Sequence, residues 1–401
     1  MIENFNSIHP FPARMAPSIV WDYVSSKKKS IKILDPMVGS GTTTTIARLS
    51  GHEAYGLDTD PLAVLISTAW SLDFDYDEVL KRAHEVLIKA KSTAKSMTSN
   101  NAFPKASDAN TRDFIKYWFD VYSRKELTAL SFHIGKVRNH NVRILLWTAF
   151  SRMIITKKVG VSLAMDVSHS RPHKVYEKAP IRPFKLFIRS IKAVLKRSPF
   201  FDRKGTSPEV IIKKGDSRKL PFANNYFDLI ITSPPYLNAI DYFRSSKLSL
   251  VWMGKSTDQI QKLRKENIGS EIKGIMALEK HQKKARQRMG KILDLPNREQ
   301  GFANRYINDM DRVMAEISRV SKKDSRIVLV VGDSYLKNVY ISNSSAIISL
   351  AEHHGLSLVR KFKRALPPNK RYLPCPTNNS SGKELMNRMR HEVIIELKKA
   401  S

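Results

Sequence analysis

Hydrophobic and polar positions change period twice along the chain. Near the start, short apolar runs alternate with helix-like stretches. Residues 31–34 form a β-type run closed by Asp35, 42–49 open like a helix, and 53–57 are a second short strand closed by Asp58. Residues 61–72 then take helical spacing, with Pro61 at a tolerated first-turn position. This β-turn-α-β-α order predicts the opening of a doubly wound sheet. From 76 to about 200 the alternation stops. Residues 76–95 set Val79, Ala83, Val86, Leu87 and Ala90 on one helical face, and 114–130 and 142–155 also read as helices. Residues 184–195 place Phe187, Ile191 and Val194 opposite Lys185, Arg189 and Lys192, the pattern of a basic amphipathic helix. Strand runs return at 210–212, 227–231, 327–331, 357–363 and 392–397, the last expected to be antiparallel. The predicted fold class is α/β, a doubly wound, mostly parallel sheet with one antiparallel strand and a basic helical insertion. Five segments follow: a cofactor half at 1–75, the insertion at 76–204 as the candidate DNA-recognition region, a catalytic half at 205–255, a basic insertion expected to be partly mobile at 256–304, and the C-terminal part of the core at 305–401.

Charge adds to this picture because it is uneven. The 401 residues include 69 Lys and Arg against 37 Asp and Glu, a formal net charge of +32, while 42% are hydrophobic, enough for a packed core. Residues 1–74 are near neutral, with six basic and seven acidic side chains; 171–204 hold eleven basic and two acidic, and 255–300 twelve and six. A neutral part suited to a small ligand and basic parts suited to phosphates are expected. Cys375 is the one cysteine, which excludes an intramolecular disulfide and a multi-cysteine zinc site. The most apolar stretch, 142–155, is broken by Arg143 and Arg152 and is too short to span a bilayer. An intracellular protein with no membrane partner is expected.

Two motifs carry candidate chemistry. Asp35-Pro36-Met37-Val38-Gly39-Ser40-Gly41-Thr42 lies between a strand and a helix. Its glycines admit close backbone approach, and the helix start offers unpaired N–H groups. The Gly-Lys-[Ser/Thr] of a triphosphate loop is missing, and Asp58 ends the next strand where an acid can accept from ribose hydroxyls. A nucleoside-like ligand follows, either a dinucleotide or S-adenosylmethionine. The second motif, Thr232-Ser233-Pro234-Pro235-Tyr236, follows an apolar strand. Paired prolines fix the backbone, so the Ser233 hydroxyl and Pro234 carbonyl are held as acceptors. Those acceptors suit the N–H groups of a base's exocyclic amine, and Tyr236 can stack on a base taken out of the helix.

Together the motifs resemble the amino-methylating class of S-adenosylmethionine-dependent DNA methyltransferases. That family reads Asp-Pro-Phe-x-Gly-Ser-Gly-Thr at the cofactor motif and [Asp/Asn/Ser]-Pro-Pro-[Tyr/Phe] at the catalytic one. The resemblance covers about 1–75, 205–255 and 305–401 and implies a seven-stranded sheet. It implies that Asp216 and Ser217, after the third strand, meet the cofactor's adenine. It also implies that Phe11 and Pro12, within His9-Pro10-Phe11-Pro12-Ala13-Arg14, pack at its methionine end. Serine at the first catalytic position leans towards cytosine N4, with adenine N6 the alternative. An RNA base methyltransferase and a non-catalytic nucleic-acid binder on the same fold are the further alternatives. Cytosine C5 chemistry needs a nucleophilic cysteine, and Cys375 sits in a loop away from the cofactor strands. No metal is expected; Pro172 keeps His169 and His173 off one helix. The expected partner is double-stranded DNA, with a cognate restriction endonuclease or defence-system proteins beside it, in a prokaryotic cytoplasm at the nucleoid. Arg171 and Lys174 in the donor-rich loop of the insertion, and Arg244 after the catalytic motif, are the candidate nucleic-acid contacts.

Overall fold

The computed structural model describes the chain except residues 1–4, 13, 106, 155–159, 166–171, 201–207, 238–242, 269–276, 337–338, 367–390 and 401, with Ser334 described by its backbone alone. Arg171, Cys375 and His169 therefore lie outside the described residues. Seven strands form the main sheet: β1 (Lys32–Asp35), β2 (Glu53–Asp58), β3 (Val210–Lys214), β4 (Phe227–Thr232), β5 (Ser321–Val331), β6 (Leu356–Ala365) and β7 (His391–Lys399). Their order across the sheet is β6-β7-β5-β4-β1-β2-β3. β7 runs antiparallel to both β5 and β6, and the other pairs are parallel, as expected. The chain steps outward from β1 to β3, then returns to the other side of β1 with β4. That reversal opens a crevice at the carboxyl ends of β1 and β4, where α/β sheets bind ligands.

The helices are α1 (Pro17–Val24), α2 (Thr42–Leu49), α3 (Pro61–Trp70), α4 (Tyr76–Lys95), α5 (Ala109–Trp118), α6 (Val121–Gly135), α7 (His140–Ile154), α8 (Pro183–Arg197), α9 (Phe243–Leu250), α10 (Thr257–Glu266), α11 (Lys280–Arg288), α12 (Asn297–Val320) and α13 (Asn343–His353). Period-two alternation sorts the strand side chains onto two faces. On one face Ile33, Ile231, Val328, Val330 and Ile394 meet Val20 and Val24 of α1 and Ile46 of α2. On the other, Leu34, Ile230, Ile327, Leu329, Val331 and Ile395 meet Met310, Met314 and Ile317 of α12 and Ile347 of α13. Burying each such side chain stabilises the fold by about 1.5–3 kcal/mol before chain entropy is counted. A third core joins α3 to the helical block. Leu62, Ile66 and Trp70 pack with Leu130, Leu146, Phe150, Phe187 and Ile191, and the same cluster takes in Ile8, Phe11 and Leu248 and Trp252 from beyond the catalytic motif.

One expected helix is two. The apolar pattern over 114–130 runs unbroken, but the chain leaves α5 at Phe119, which is extended with φ −141. Asp120 then caps α6, its carboxylate accepting from the Ser123 N–H at 2.7 Å and from the Ala179 N–H at 2.6 Å. A half-buried carboxylate that satisfies two backbone donors outweighs continuing the helix.

Candidate active site at the carboxyl ends of β1 and β4

β1 and β4 pair directly, Ile33 with Leu229 and Leu34 with Ile230. The two sequence motifs therefore leave the sheet side by side. One hydrogen bond joins them: the Thr232 hydroxyl donates to Asp35 Oδ1 at 2.7 Å, with both residues buried. The Met37 N–H adds a longer contact at 3.2 Å. Burial pushes the Asp35 carboxyl up to about 6 in spite of these donors.

The glycine turn is pinned to the end of β2. Gly39, with φ +48, donates its N–H to Asp58 Oδ2 at 2.9 Å, while the Asp60 N–H donates to Oδ1 at 2.9 Å. Gly41 has φ +90 and precedes the first turn of α2; a Cβ there would lie 2.8 Å from Ser67 Cα on α3. Only glycine satisfies both the dihedral and the space. Ser40 and Thr42 are buried beside it, their hydroxyls 3.5 Å apart, and Pro36 is buried at the head of the turn. The Phe11 ring edge comes 3.6 Å from where a Gly39 Cβ would sit, and Pro12 is buried next to it. The helical block braces this N-terminal motif. Arg152 donates to the Ile8 carbonyl at 3.0 Å, and His9 Nε2 lies 3.1 Å from Ser151 Oγ, which donates to Ser249 Oγ at 2.9 Å.

Three carboxylates thus gather at the ends of β1 and β2. Asp60 caps α3 through the Leu62 N–H at 2.8 Å and accepts from the Ser246 hydroxyl at 2.7 Å. Burial, with the Asp58 charge beside it, pushes Asp60 up to about 7; burial also raises Asp58. A pyrophosphate would meet like charge here, whereas a cationic sulfonium and ammonium would relieve it. Of the two ligands left open by the sequence, the donor set fits S-adenosylmethionine.

Asp216 follows β3, and the Gly215 N–H ties this turn to the Asp58 carbonyl at 3.0 Å. Arg218 holds the Asp216 carboxylate through Nε at 3.0 Å and Nη2 at 2.8 Å, and reaches Asp309 of α12 at 2.7 Å. Burial alone would raise the Asp216 carboxyl, but these guanidinium bonds outweigh it and hold it below the ordinary range. Ser217 is buried beside it.

In the catalytic motif Ser233 Oγ donates to the Val330 carbonyl on β5 at 2.9 Å. Its proton is thereby directed into the sheet, and its lone pairs remain available as acceptors. The Tyr236 hydroxyl is 3.4 Å away, and the Tyr236 ring is half-buried against the α12 side of the core. Pro234 is buried and Pro235 half-buried.

Of the candidate nucleic-acid contacts, the two described ones, Arg244 and Lys174, fall near one cleft. Arg244, exposed on α9, lines a cavity of about 620 Å³ with Trp118, His173, Phe243, Lys247 and Arg264 among its walls. Lys174 is exposed next to His173, its ammonium 4.9 Å from the Tyr117 ring centre. Burial, with Arg264 nearby, lowers the Lys247 ammonium. The sequence reading placed Thr232 at the head of the catalytic motif without giving it a role, and it missed Asp60, Lys247 and Arg264; Asp60-Pro61 is a helix-start pair, a legible signal.

The chain is similar to curated Type II methyltransferases. M.MvaI of Kocuria varians is 24% identical over 414 residues, covering 97% of this chain and 90% of that protein. M.MjaII of Methanocaldococcus jannaschii is 22% identical, covering 90% and 76%. M.BsoBI of Geobacillus stearothermophilus is 25% identical over 294 residues, covering 65% of this chain and 54% of that protein. No protein-family model matches. Among solved structures, an S-adenosylmethionine-dependent methyltransferase from Methanosarcina mazei is 8% identical with a TM-score of 0.34, covering 95% of this chain and 97% of that one. A likeness that weak adds nothing to the sheet order. The methyltransferase resemblance, and the S-adenosylmethionine cofactor that it implies, agree with the Type II relatives. Among the described residues no helix is long and apolar enough to cross a membrane.

Proposed function

We propose that the chain is a site-specific DNA methyltransferase acting on the exocyclic amine of a flipped base, cytosine N4 before adenine N6. The observation that carries this reading is the Thr232–Asp35 hydrogen bond of 2.7 Å, which locks the acceptor-bearing turn after β4 against the glycine turn after β1. S-adenosylmethionine, when bound, supplies a methyl group already activated by its sulfonium, so the protein needs no strong nucleophile. Asp58 would hold the ribose, Asp216 and Ser217 the adenine, and the Gly39–Gly41 turn with Phe11 and Pro12 the methionine end. Ser233 Oγ and the Pro234 carbonyl would accept the amine N–H groups and hold the nitrogen in line with the methyl, whose bond to sulfur would break to leave the neutral thioether while the nitrogen's surplus proton passed to solvent. Tyr236 stacks on the base. The basic cleft at Arg244, with Lys174 and Arg171 of the insertion, would hold the phosphates and read sequence. A Type II methyltransferase of this kind would pair with a cognate endonuclease.

The test is expression in a host without DNA methylation of its own, followed by nucleoside mass spectrometry of DNA and RNA, with Ser233→Ala as control. N4-methylcytosine in DNA that disappears in the variant is the expected result. N6-methyladenine would keep the site and change the base. A mark confined to RNA would overturn DNA as substrate. No mark, together with no binding of S-adenosylmethionine, would leave a non-catalytic nucleic-acid binder.

A further inference from the structure

Away from the crevice, three histidines and an aspartate converge between α11, α12 and α13. His281 Nε2 lies 3.0 Å from Asp311 Oδ2, and His354 Nε2 lies 2.8 Å from Asp311 Oδ1. His353 stacks on His281 with ring centres 3.8 Å apart. One ring nitrogen from each histidine falls within 4.8 Å of the others. His353 is exposed, His281 and His354 are half-buried, and Asp311 is buried. The position is remote from the proposed chemistry. His354 stands two residues before β6 begins, at the amino edge of the parallel strands, whereas the motif turns leave the opposite edge.

We propose that His281, His353, His354 and Asp311 form a binding site for a divalent transition-metal ion, with zinc as the probe, that fastens α11 to α12 and α13. Imidazole nitrogens with one carboxylate are a donor set suited to zinc, nickel or copper and poorly suited to magnesium or calcium. Zinc bonds of about 2.0–2.1 Å place tetrahedral ligand atoms about 3.4 Å apart. The two histidine–aspartate separations are already just under that value, so a metal can replace the proton held on each Nε2 with small side-chain movements. Rotation of the exposed His353 ring brings the third nitrogen in and completes a four-ligand set with Asp311. The carboxylate is kept ready: Gln282 Nε2 also donates to Oδ2, at 2.9 Å, and orients the group whether or not metal is bound. The site would also have a mechanical effect. α11 carries Lys280, Lys283, Lys284, Arg286 and Arg288, so a metal at His281 would fix a strongly basic helix to the sheet-covering pair α12 and α13.

The test uses tag-free full-length protein, stripped with a chelator and titrated with zinc by calorimetry at neutral pH, then with cobalt(II) followed by visible absorption. The expected result is one zinc per chain with proton release, and cobalt bands of the intensity of a four-coordinate site. His353→Ala, at an exposed position that the fold does not need, should weaken binding at least about tenfold, and Asp311→Asn should do the same. His140→Ala, on exposed α7 surface, should change nothing. Absence of stoichiometric zinc binding would overturn the proposal. So would equal affinity in wild type and His353→Ala with unchanged circular dichroism, because the bound metal would then be on scattered surface histidines.

Discussion

Thr232 and Asp35 show how one side chain can couple two motifs. The Asp35 carboxylate is 3% exposed and takes its shortest bond from the Thr232 hydroxyl, so removing that donor leaves a buried acceptor with only the Met37 N–H and the Thr43 hydroxyl. Thr232→Val keeps the shape and should destabilise the protein by about 1–3 kcal/mol in denaturant titration, while Thr232→Ser should cost much less. The same carboxylates set a pH response. The folded-state carboxyls of Asp35 and Asp60 sit near 6 and 7, above an ordinary value of 3.8. Between about pH 4 and 7 the folded state therefore binds more protons than the unfolded chain, so this contribution to stability falls as pH rises through that window. Asp60→Asn should flatten the fall when melting temperature is followed from pH 4 to 8. A saturating cationic cofactor should flatten it too, since it favours the charged carboxylates. The Asp35 motif itself was legible because its residues are contiguous. Its bond to Thr232 was not, since the partners are 197 positions apart and only the pairing of β1 with β4 brings them together.

At the scale of elements, the glycines separate two costs. Gly41 and Gly51 both have left-handed φ, +90 and +85, but a Cβ on Gly51 meets nothing within 4 Å, while one on Gly41 meets the α3 backbone and Ser67 Cβ at 2.8 Å. Gly51→Ala should cost about 1–2 kcal/mol from the dihedral alone. Gly41→Ala must also push α3 away from α2. It should lose more stability than Gly51→Ala and should lose S-adenosylmethionine binding, which Gly51→Ala should retain in equilibrium dialysis. The strands were readable because short apolar runs ending in an acid or a turn have few other solutions. The break between α5 and α6 was not readable. The apolar period runs through it, and the decision belongs to Asp120, whose second donor, Ala179, comes from beyond two further helices. The histidine cluster was hidden for the same reason: His281 and Asp311 are 30 positions apart, and His354 lies 43 beyond Asp311.

At the scale of the molecule, the division of charge read from the sequence acquires a geometry. The crevice at the ends of β1 and β2 gathers carboxylates, while Arg244, Lys247 and Arg264 line the cleft between α5, α9 and α10. If that cleft takes the backbone of the nucleic-acid substrate, each cation that meets a phosphate releases condensed counterions, and the logarithm of affinity falls linearly with the logarithm of salt. Replacing Arg244, Lys247 and Arg264 with Gln should then lower the slope for duplex DNA by about 3, measured by fluorescence anisotropy from low to physiological salt. Binding of S-adenosylmethionine should be unchanged, because none of the three belongs to the carboxylate crevice. A triple variant with weakened DNA binding but an unaltered salt slope would mean that the cleft acts through packing, and that the phosphates are held elsewhere on the basic surface. A variant that also lost the cofactor would mean that the cleft and the crevice depend on each other through Ser246, which sits on α9 between Arg244 and Lys247 and hydrogen-bonds Asp60 at 2.7 Å.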